Sequence, residues 1–401
     1  MWEQIRSNQI RSLVLVVGMG VLLLLVGYFL GLAFADDGVA GLAIALIVWA
    51  VMSLVGYFQG DSILLAVSGA KKISRDDHPR LYNIVEEMKI ASGLERMPDI
   101  YIIDDPALNA FATGRDPNKA SVAITSGLLQ KLNRDELQGV IAHEISHVKN
   151  RDVLLMAMTS VILGTIVILA WYGSRMMVFG GAGRPRRSSS SGGGQGQVIV
   201  FILALALMIL APIFAYLIYF AISRKREYLA DASAALYTRY PEGLASALEK
   251  LGASTGQLKT ANQATAPMYI VNPFRQKGRE VADLTSTHPP ISERIRILRS
   301  MAGGVSFAGY DQAYRQVHRG GGGIIPASAL ALPEASYRAV TPEEARQEPD
   351  RLERTRETSD LMWRLSNYKT INCDCGTKLR VPPGFRESEI RCPHCGRINP
   401  V

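Results

Sequence analysis

Hydrophobic positions fall along this chain in two ways. Residues 12–35, 39–60, 153–174 and 197–223 each run for roughly 20 residues or more without a charge, the length a helix needs to cross a bilayer. A buried core helix rarely runs so long uncharged, so four membrane spans are predicted. Elsewhere the apolar residues recur at shorter periods. Over 133–152, Leu137, Val140, Ile141, Ile145 and Val148 fall at three- and four-residue spacing, which predicts one helix with a buried face. Asn133, with Glu136 three residues on, forms a capping-box start for it. Leu81, Ile84, Val85 and Met88 predict a second helix over 78–93. Residues 99–103 and 120–125 are rich in β-branched residues and bounded by Pro, Asp, Asn and Gly, so they read as strands. One of the two presents a sheet edge able to align a peptide, or the pair is an ordinary hairpin. From 303 to about 360 the chain is rich in Gly, Pro, Ala and charge, includes the run Gly320-Gly321-Gly322-Gly323, and reads as a linker with one charged helix. The expected units are two spans in 1–60, an α+β domain with the other two spans in 61–302, a linker in 303–368 and a small unit in 369–401.

Composition changes the picture in one respect. The chain has 401 residues, 48% of them hydrophobic, and a formal charge of +8, long enough for two or three folding units. With four spans present, the basic balance reads first as membrane topology and only weakly as nucleic-acid affinity. Arg6 and Arg11 precede the first span, Asp36 and Asp37 occupy the short turn, and Lys71, Lys72 and Arg75 follow the second. By the positive-inside rule the N-terminus and the region after Asp61 face the cytoplasm. Arg175, Arg184, Arg186 and Arg187 in the Gly/Ser-rich loop between spans three and four disagree. Lys149 and Arg151, with Arg224, Lys225 and Arg226, outvote them. Ala33-Phe34-Ala35 resembles a signal-peptide cleavage site, but the apolar stretch is too long and a second span follows at once.

Candidate chemistry centres on His143-Glu144-Ile145-Ser146-His147. Helical residues turn about 100° each, so His143 and His147 share a face. Two imidazoles so placed can bind one Zn²⁺ and leave positions open for water and substrate. Glu144 flanks that position and can act as general base. The alternative is two core histidines with an unrelated glutamate between them. Span three begins about six residues after His147, roughly 9 Å along a helix, which puts the site at the membrane surface. A two-histidine zinc site needs a third protein ligand, commonly a carboxylate. Glu227 emerges from span four on the same side and can reach the pair. Asp231, one turn later, can accept a hydrogen bond from a ligand imidazole and fix its tautomer. Taken alone, such an acidic pair is more often a solvated helix face.

That motif, with Glu227-Tyr228-Leu229-Ala230-Asp231 across two spans, resembles the HtpX-type membrane zinc metalloproteases, relatives of the CAAX prenyl endopeptidases. The resemblance runs in order from Met1 to Met301. It implies a gluzincin site in which His143, His147 and Glu227 bind zinc and Glu144 is the catalytic base. It further implies that Asn109, in Asn109-Ala110-Phe111-Ala112, contacts substrate backbone beside the zinc. His288 and Arg294, in Thr287-His288-Pro289-Pro290-Ile291-Ser292-Glu293-Arg294, correspond to a pair that approaches the metal and stabilises an oxyanion. Without the resemblance, His288-Pro289-Pro290 is equally a helix start with an incidental histidine. The family's role is degradation of damaged or misassembled membrane proteins. The prenyl-protein branch has more spans than are found here.

All four cysteines lie near the C-terminus, in Cys373-Asp374-Cys375-Gly376 and Cys392-Pro393-His394-Cys395-Gly396. Two such pairs around a strand-like segment read as a zinc ribbon with four thiolates, the first pair one residue tighter than usual. Two disulfides are the alternative, disfavoured in a cytoplasmic compartment. Arg380, Arg386, Arg391 and Arg397 leave nucleic acid as a minor alternative partner. The sequence thus predicts an α-rich membrane protein with four transmembrane helices, a cytoplasmic α+β zincin-like (gluzincin) catalytic domain and a C-terminal zinc ribbon. The expected activity is that of a zinc endopeptidase with one catalytic and one structural Zn²⁺. Its expected substrates are polypeptides, chiefly misfolded or damaged membrane proteins, and its expected location a bacterial-type inner membrane. The competing reading is a catalytically idle scaffold that recruits partners through the ribbon. It leaves unexplained why a base and an open coordination position are both kept. A transporter or channel is disfavoured because no span carries an internal charge.

Overall fold

The computed structural model describes residues 2–179, 194–254, 256, 258, 269–270, 288–301, 304–319, 322–338 and 348–401. The first two spans form a hairpin, α1 (Trp2–Ala35) and α2 (Gly38–Val67). Asp37 turns it, its Oδ1 accepting from the Val39 and Ala40 amides at 3.0 Å. A Cβ on Gly41 would lie 2.2 Å from the Gly27 carbonyl oxygen and 2.7 Å from the Gly31 Cα. The helices therefore touch backbone to backbone, as small-residue stripes allow in membranes. The other spans lie in α6 (Val153–Phe179) and α7 (Gly194–Thr238). Among the described residues these four helices are long and apolar enough to cross a membrane. Met19, Leu23, Leu163, Ile166 and Met208 are buried between them. The loop arginines Arg184, Arg186 and Arg187 lie outside the described residues.

Between the hairpins is a four-stranded sheet of β1 (Ala70–Ile73), β2 (Asp99–Ile103), β3 (Ala110–Gly114) and β4 (Ala120–Thr125), in the order β1-β2-β4-β3. β2 and β4 are parallel, and the outer strands run antiparallel to their neighbours. β3 is thus an edge strand. Helices α3 (Pro79–Ser92), α4 (Ser126–Lys131) and α5 (Arg134–Lys149) complete this region. The capping box of α5 forms, Asn133 and Glu136 exchanging hydrogen bonds at 2.9 Å. After α7 come α8 (Pro241–Ala253) and α9 (Ile291–Arg299). Residues from all these elements, Ile84, Ile102, Ile141, Leu229, Leu248 and Ile297 among them, share one core.

Two expectations change. Span four and the acidic segment after it form one helix of 45 residues, α7, which passes through Pro212 without ending. The segment expected as a linker is ordered over its described parts, as α10 (Phe307–Val317), α11 (Ala327–Leu330) and α12 (Arg351–Leu365). Phe307, Tyr310, Ile325, Ala329 and Leu361 are buried in the same core as the α+β region. Their apolar residues are spaced too sparsely among glycines and charges to signal this from sequence. Arg354 donates to the Gln130 carbonyl, and Lys71 to that of Leu365, so α12 is tied down at both ends.

The C-terminal unit is two hairpins, β5 (Lys369–Asn372) with β6 (Lys378–Val381) and β7 (Glu389–Arg391) with β8 (Ile398–Pro400). Lys378 and Arg380 both pair with Asp360 of α12, which docks the unit on the extension.

Candidate active site

Helix α5 presents His143 and His147 on one face, and α7 brings Glu227 to them. His143 Nε2 lies 3.3 Å from His147 Nε2, and Glu227 oxygens lie 3.5 and 3.4 Å from the two nitrogens. Donor atoms bonded to a tetrahedral ion at about 2.0–2.1 Å are separated by about 3.3–3.4 Å. The three side chains therefore already have the spacing of a zinc ligand set. All three are buried, and among the described residues Glu227 Oε2 has imidazole nitrogens only at a long 3.5 Å, an under-satisfied carboxylate oxygen that a bound cation would complete. The residues fit the metal.

The far nitrogen of each imidazole meets a carboxylate. His143 Nδ1 is 3.0 Å from Asp231 Oδ1, and His147 Nδ1 is 3.3 Å from Asp152 Oδ2. Such partners fix the tautomer and orient the ring. Asp152 is a residue the sequence analysis missed. Burial opposes charge on His143, but hydrogen bonds to Asp231 and Glu227 outweigh it and raise its pKa to about 9. A metal must displace that proton to bind. Glu227 is held well below the usual carboxylate range despite burial, by His288, His143 and His147.

Glu144 is buried beside the pair, and burial raises its pKa against the opposing pull of both histidines. It accepts a hydrogen bond from the backbone of Ala112 in β3. Asn109 and Thr125 pair through their backbones (Thr125 N–H to Asn109 C=O, 3.0 Å). Alternation along an antiparallel ladder then turns the Ala110 and Ala112 backbone groups outward, toward α5. The Ala110 carbonyl accepts from Ile270 at 3.0 Å. Asn109 itself is buried where β3 begins, its Oδ1 accepting from the Ala110 amide at 3.1 Å.

His288 stands at the metal cluster, Nε2 3.5 Å from Glu227 Oε2, and burial lowers its pKa to about 4, leaving it neutral. Arg294 reaches the cluster from α9 and is also bound to the carboxylate behind it. Its Nε and Nη2 grip Asp231 at 2.8 and 2.7 Å, its Nη1 reaches the Ile270 carbonyl, and it is fully buried. A guanidinium so engaged orients the ligand set, and its charge stands next to the cluster, Nη1 3.7 Å from Glu227 Oε2.

The four cysteine thiols also converge. Cys373 and Cys395 sulfurs are 3.5 Å apart, Cys375 and Cys392 sulfurs 3.7 Å, against about 3.8 Å for thiolates bonded to zinc at about 2.3 Å. None is in a disulfide. Thr377 draws the Cys375 thiol down to about 5 through its hydroxyl and amide. Gly376 and Gly396, at φ of 85° and 75°, close the two turns with amide hydrogen bonds to the Cys373 and Cys392 carbonyls.

The sequence pattern of peptidase family M48 matches residues 75–302. A protein named "Protease HtpX homolog" from Dictyoglomus turgidum is 45% identical over 300 residues, covering 75% of this chain and 94% of the relative. One of the same name from Streptococcus uberis is 40% identical over 301 residues, covering 75% of this chain and all of the relative. A crystal structure of S. mikatae Ste24p aligns with TM-score 0.40 at 23% identity, over 74% of this chain and 67% of that one.

Proposed function

The chain belongs to peptidase family M48 and is a membrane zinc metalloprotease, and on that premise we propose that His143, His147 and Glu227 hold its catalytic zinc and Glu144 is its base. The observation that carries the assignment is the 3.3–3.5 Å spacing of three buried donor atoms from two helices. When bound, zinc supplies Lewis-acid polarisation of the peptide carbonyl and makes water acidic enough to attack it. Glu144 takes the proton of the attacking water and returns it to the leaving amine. Its raised pKa brings it closer to the working pH for both transfers. His288, neutral beside Glu227, offers its N–H to the oxygen that gains charge. Arg294 and Asp231 keep His143 turned toward the cluster. Asn109, where β3 begins, is the residue that contacts the peptide backbone in this reading.

The catalytic side is the cytoplasmic one in this proposal. Lys71, Lys72, Arg75, Lys149, Arg151, Arg224, Lys225 and Arg226 all flank span ends on that side. Opposing Arg175 stacks on Trp171 at 4.5 Å, an aromatic–cation anchor suited to the outer interface. With α6 starting at Val153, the site lies within two helical turns of the bilayer, which favours membrane proteins as substrates, in their quality control. Casein digestion in detergent should be lost with a zinc chelator, return with zinc, and be absent from Glu144→Gln. Undiminished proteolysis by Glu144→Gln would remove Glu144 from the mechanism. Maleimide labelling of the native cysteines in spheroplasts should need permeabilised cells; labelling from outside would reverse the topology.

A further inference from the structure

Beyond the metal cluster, aromatic and titratable side chains converge where α10 meets α7 and α9. Glu293 of α9 immediately precedes Arg294, and Tyr228 of α7 immediately follows Glu227. The Glu293 carboxylate accepts a hydrogen bond from the Tyr228 hydroxyl. The same oxygen lies 2.5 Å from Nε2 of His318, at the end of α10. The other imidazole nitrogen, Nδ1, lies 2.9 Å from the Tyr314 carbonyl. Tyr314 stacks on His318 at 4.0 Å and meets the Tyr228 ring edge-on at 5.0 Å. One carboxylate oxygen thus joins three helices, two of which carry groups of the metal site. Behind it, Tyr310 is fully buried on the same helix.

We propose that α10 is a working part of the catalytic unit, in which His318 is a positioning residue acting through Glu293 and Tyr228 on Glu227 and Arg294. This rests on the reading of Glu227 as a zinc ligand. Two connected paths carry it. Along α7, Tyr228 fixes the rotation of the turn that presents Glu227. Along α9, Glu293 fixes the turn that presents Arg294, which grips Asp231, which in turn orients His143. Spacings of 3.3–3.5 Å among the donors leave little room for α7 to turn or shift against α5. Residues 307–317 lie beyond 302, where the family match ends. The chain's own extension therefore supplies the bolt.

The test uses the full-length protein in detergent. His318→Phe keeps a ring to stack on Tyr314 but removes the donor to Glu293; His318→Gln restores an N–H. Four quantities are read: kcat and KM on a peptide, the rate at which a chelator strips zinc, and Tm. His318→Phe should lower kcat and speed zinc release by about threefold or more, less than the roughly tenfold or more of losing a direct partner of a metal ligand because His318 acts further out, with KM unchanged. His318→Gln should recover most of both. Wild-type kcat and zinc release in His318→Phe would overturn the proposal. Equal impairment of both variants, tracking a fall in Tm, would also overturn it by making His318 merely structural. If wild type and Glu144→Gln prove equally inert, the protease reading fails, and the zinc-release comparison alone still decides the role of His318.

Discussion

The two ligand imidazoles are each held by a carboxylate, and those carboxylates differ in how visible they are from sequence. Asp231 falls one turn after Glu227, so helical spacing pairs them as soon as Glu227 is suspected. Asp152 stands at the start of α6, where an acidic residue reads as an ordinary helix beginning. Only its place five residues after His147 hints at more. The structure puts it 3.3 Å from His147 Nδ1 and fully buried. Asp152→Ala should therefore weaken zinc binding by about 10–100-fold, as loss of such a partner does elsewhere. Competition against a chelator of known affinity measures this, and unchanged affinity would leave Asp152 as a helix start only. Arg294 carries an orienting role beyond the one expected from sequence. A sequence shows that a cation approaches a site but not which of its partners it already grips.

At the scale of elements, legibility followed length and periodicity. The helix of the histidine pair carries both a capping box and a three-to-four repeat, and strands 99–103 and 120–125 appear with the predicted bounds. β1 was missed because its four residues include two lysines, which read as topology charges. Helix α3 adds a device that sequence did not suggest, a histidine as its N-cap. His78 Nδ1 accepts from the Leu81 amide at 3.1 Å, which requires that nitrogen to be unprotonated. Burial, with Arg80 nearby, lowers its pKa from 6.5 to about 4. In that window the unfolded chain binds the proton and the folded chain does not, so stability rises with pH. The contribution is fully present above 6.5 and is lost as pH falls toward 4. By pH 5 the loss amounts to about 2 kcal/mol, at 1.36 kcal/mol per unit. His78→Asn keeps a cap without a titrating group and should flatten the Tm profile between pH 7 and 5 relative to wild type. Acid loss at the metal site is common to both proteins and cancels. Parallel Tm profiles would rule His78 out as the source.

For the whole molecule, the ordered extension changes how the two metal sites relate. The ribbon is docked through Asp360 to α12, and α12 is fastened to the α+β region by Arg354, Lys71 and Arg364. Those fastenings lie on the helix, not among the cysteines. Emptying the ribbon should accordingly loosen its two hairpins, whose core is little more than Cys373, Leu379 and Cys392, while α12 and α10 stay in place. Purified protein should hold about two zinc ions per chain, one in a closed four-thiolate site and one in a three-ligand site with room for water. Cys375→Ser should cost about one ion and leave cleavage of a short peptide largely intact, because a structural site contributes folding energy and no reacting group. Glu227→Ala should also cost about one ion but abolish cleavage, since it removes a ligand of the open site. Metal analysis and a peptide assay on the same preparations distinguish the two. A cysteine variant as inactive as the glutamate variant would mean that the ribbon, through Asp360 and α12, holds the catalytic fold together. Retained activity in Glu227→Ala would remove Glu227 from the zinc site.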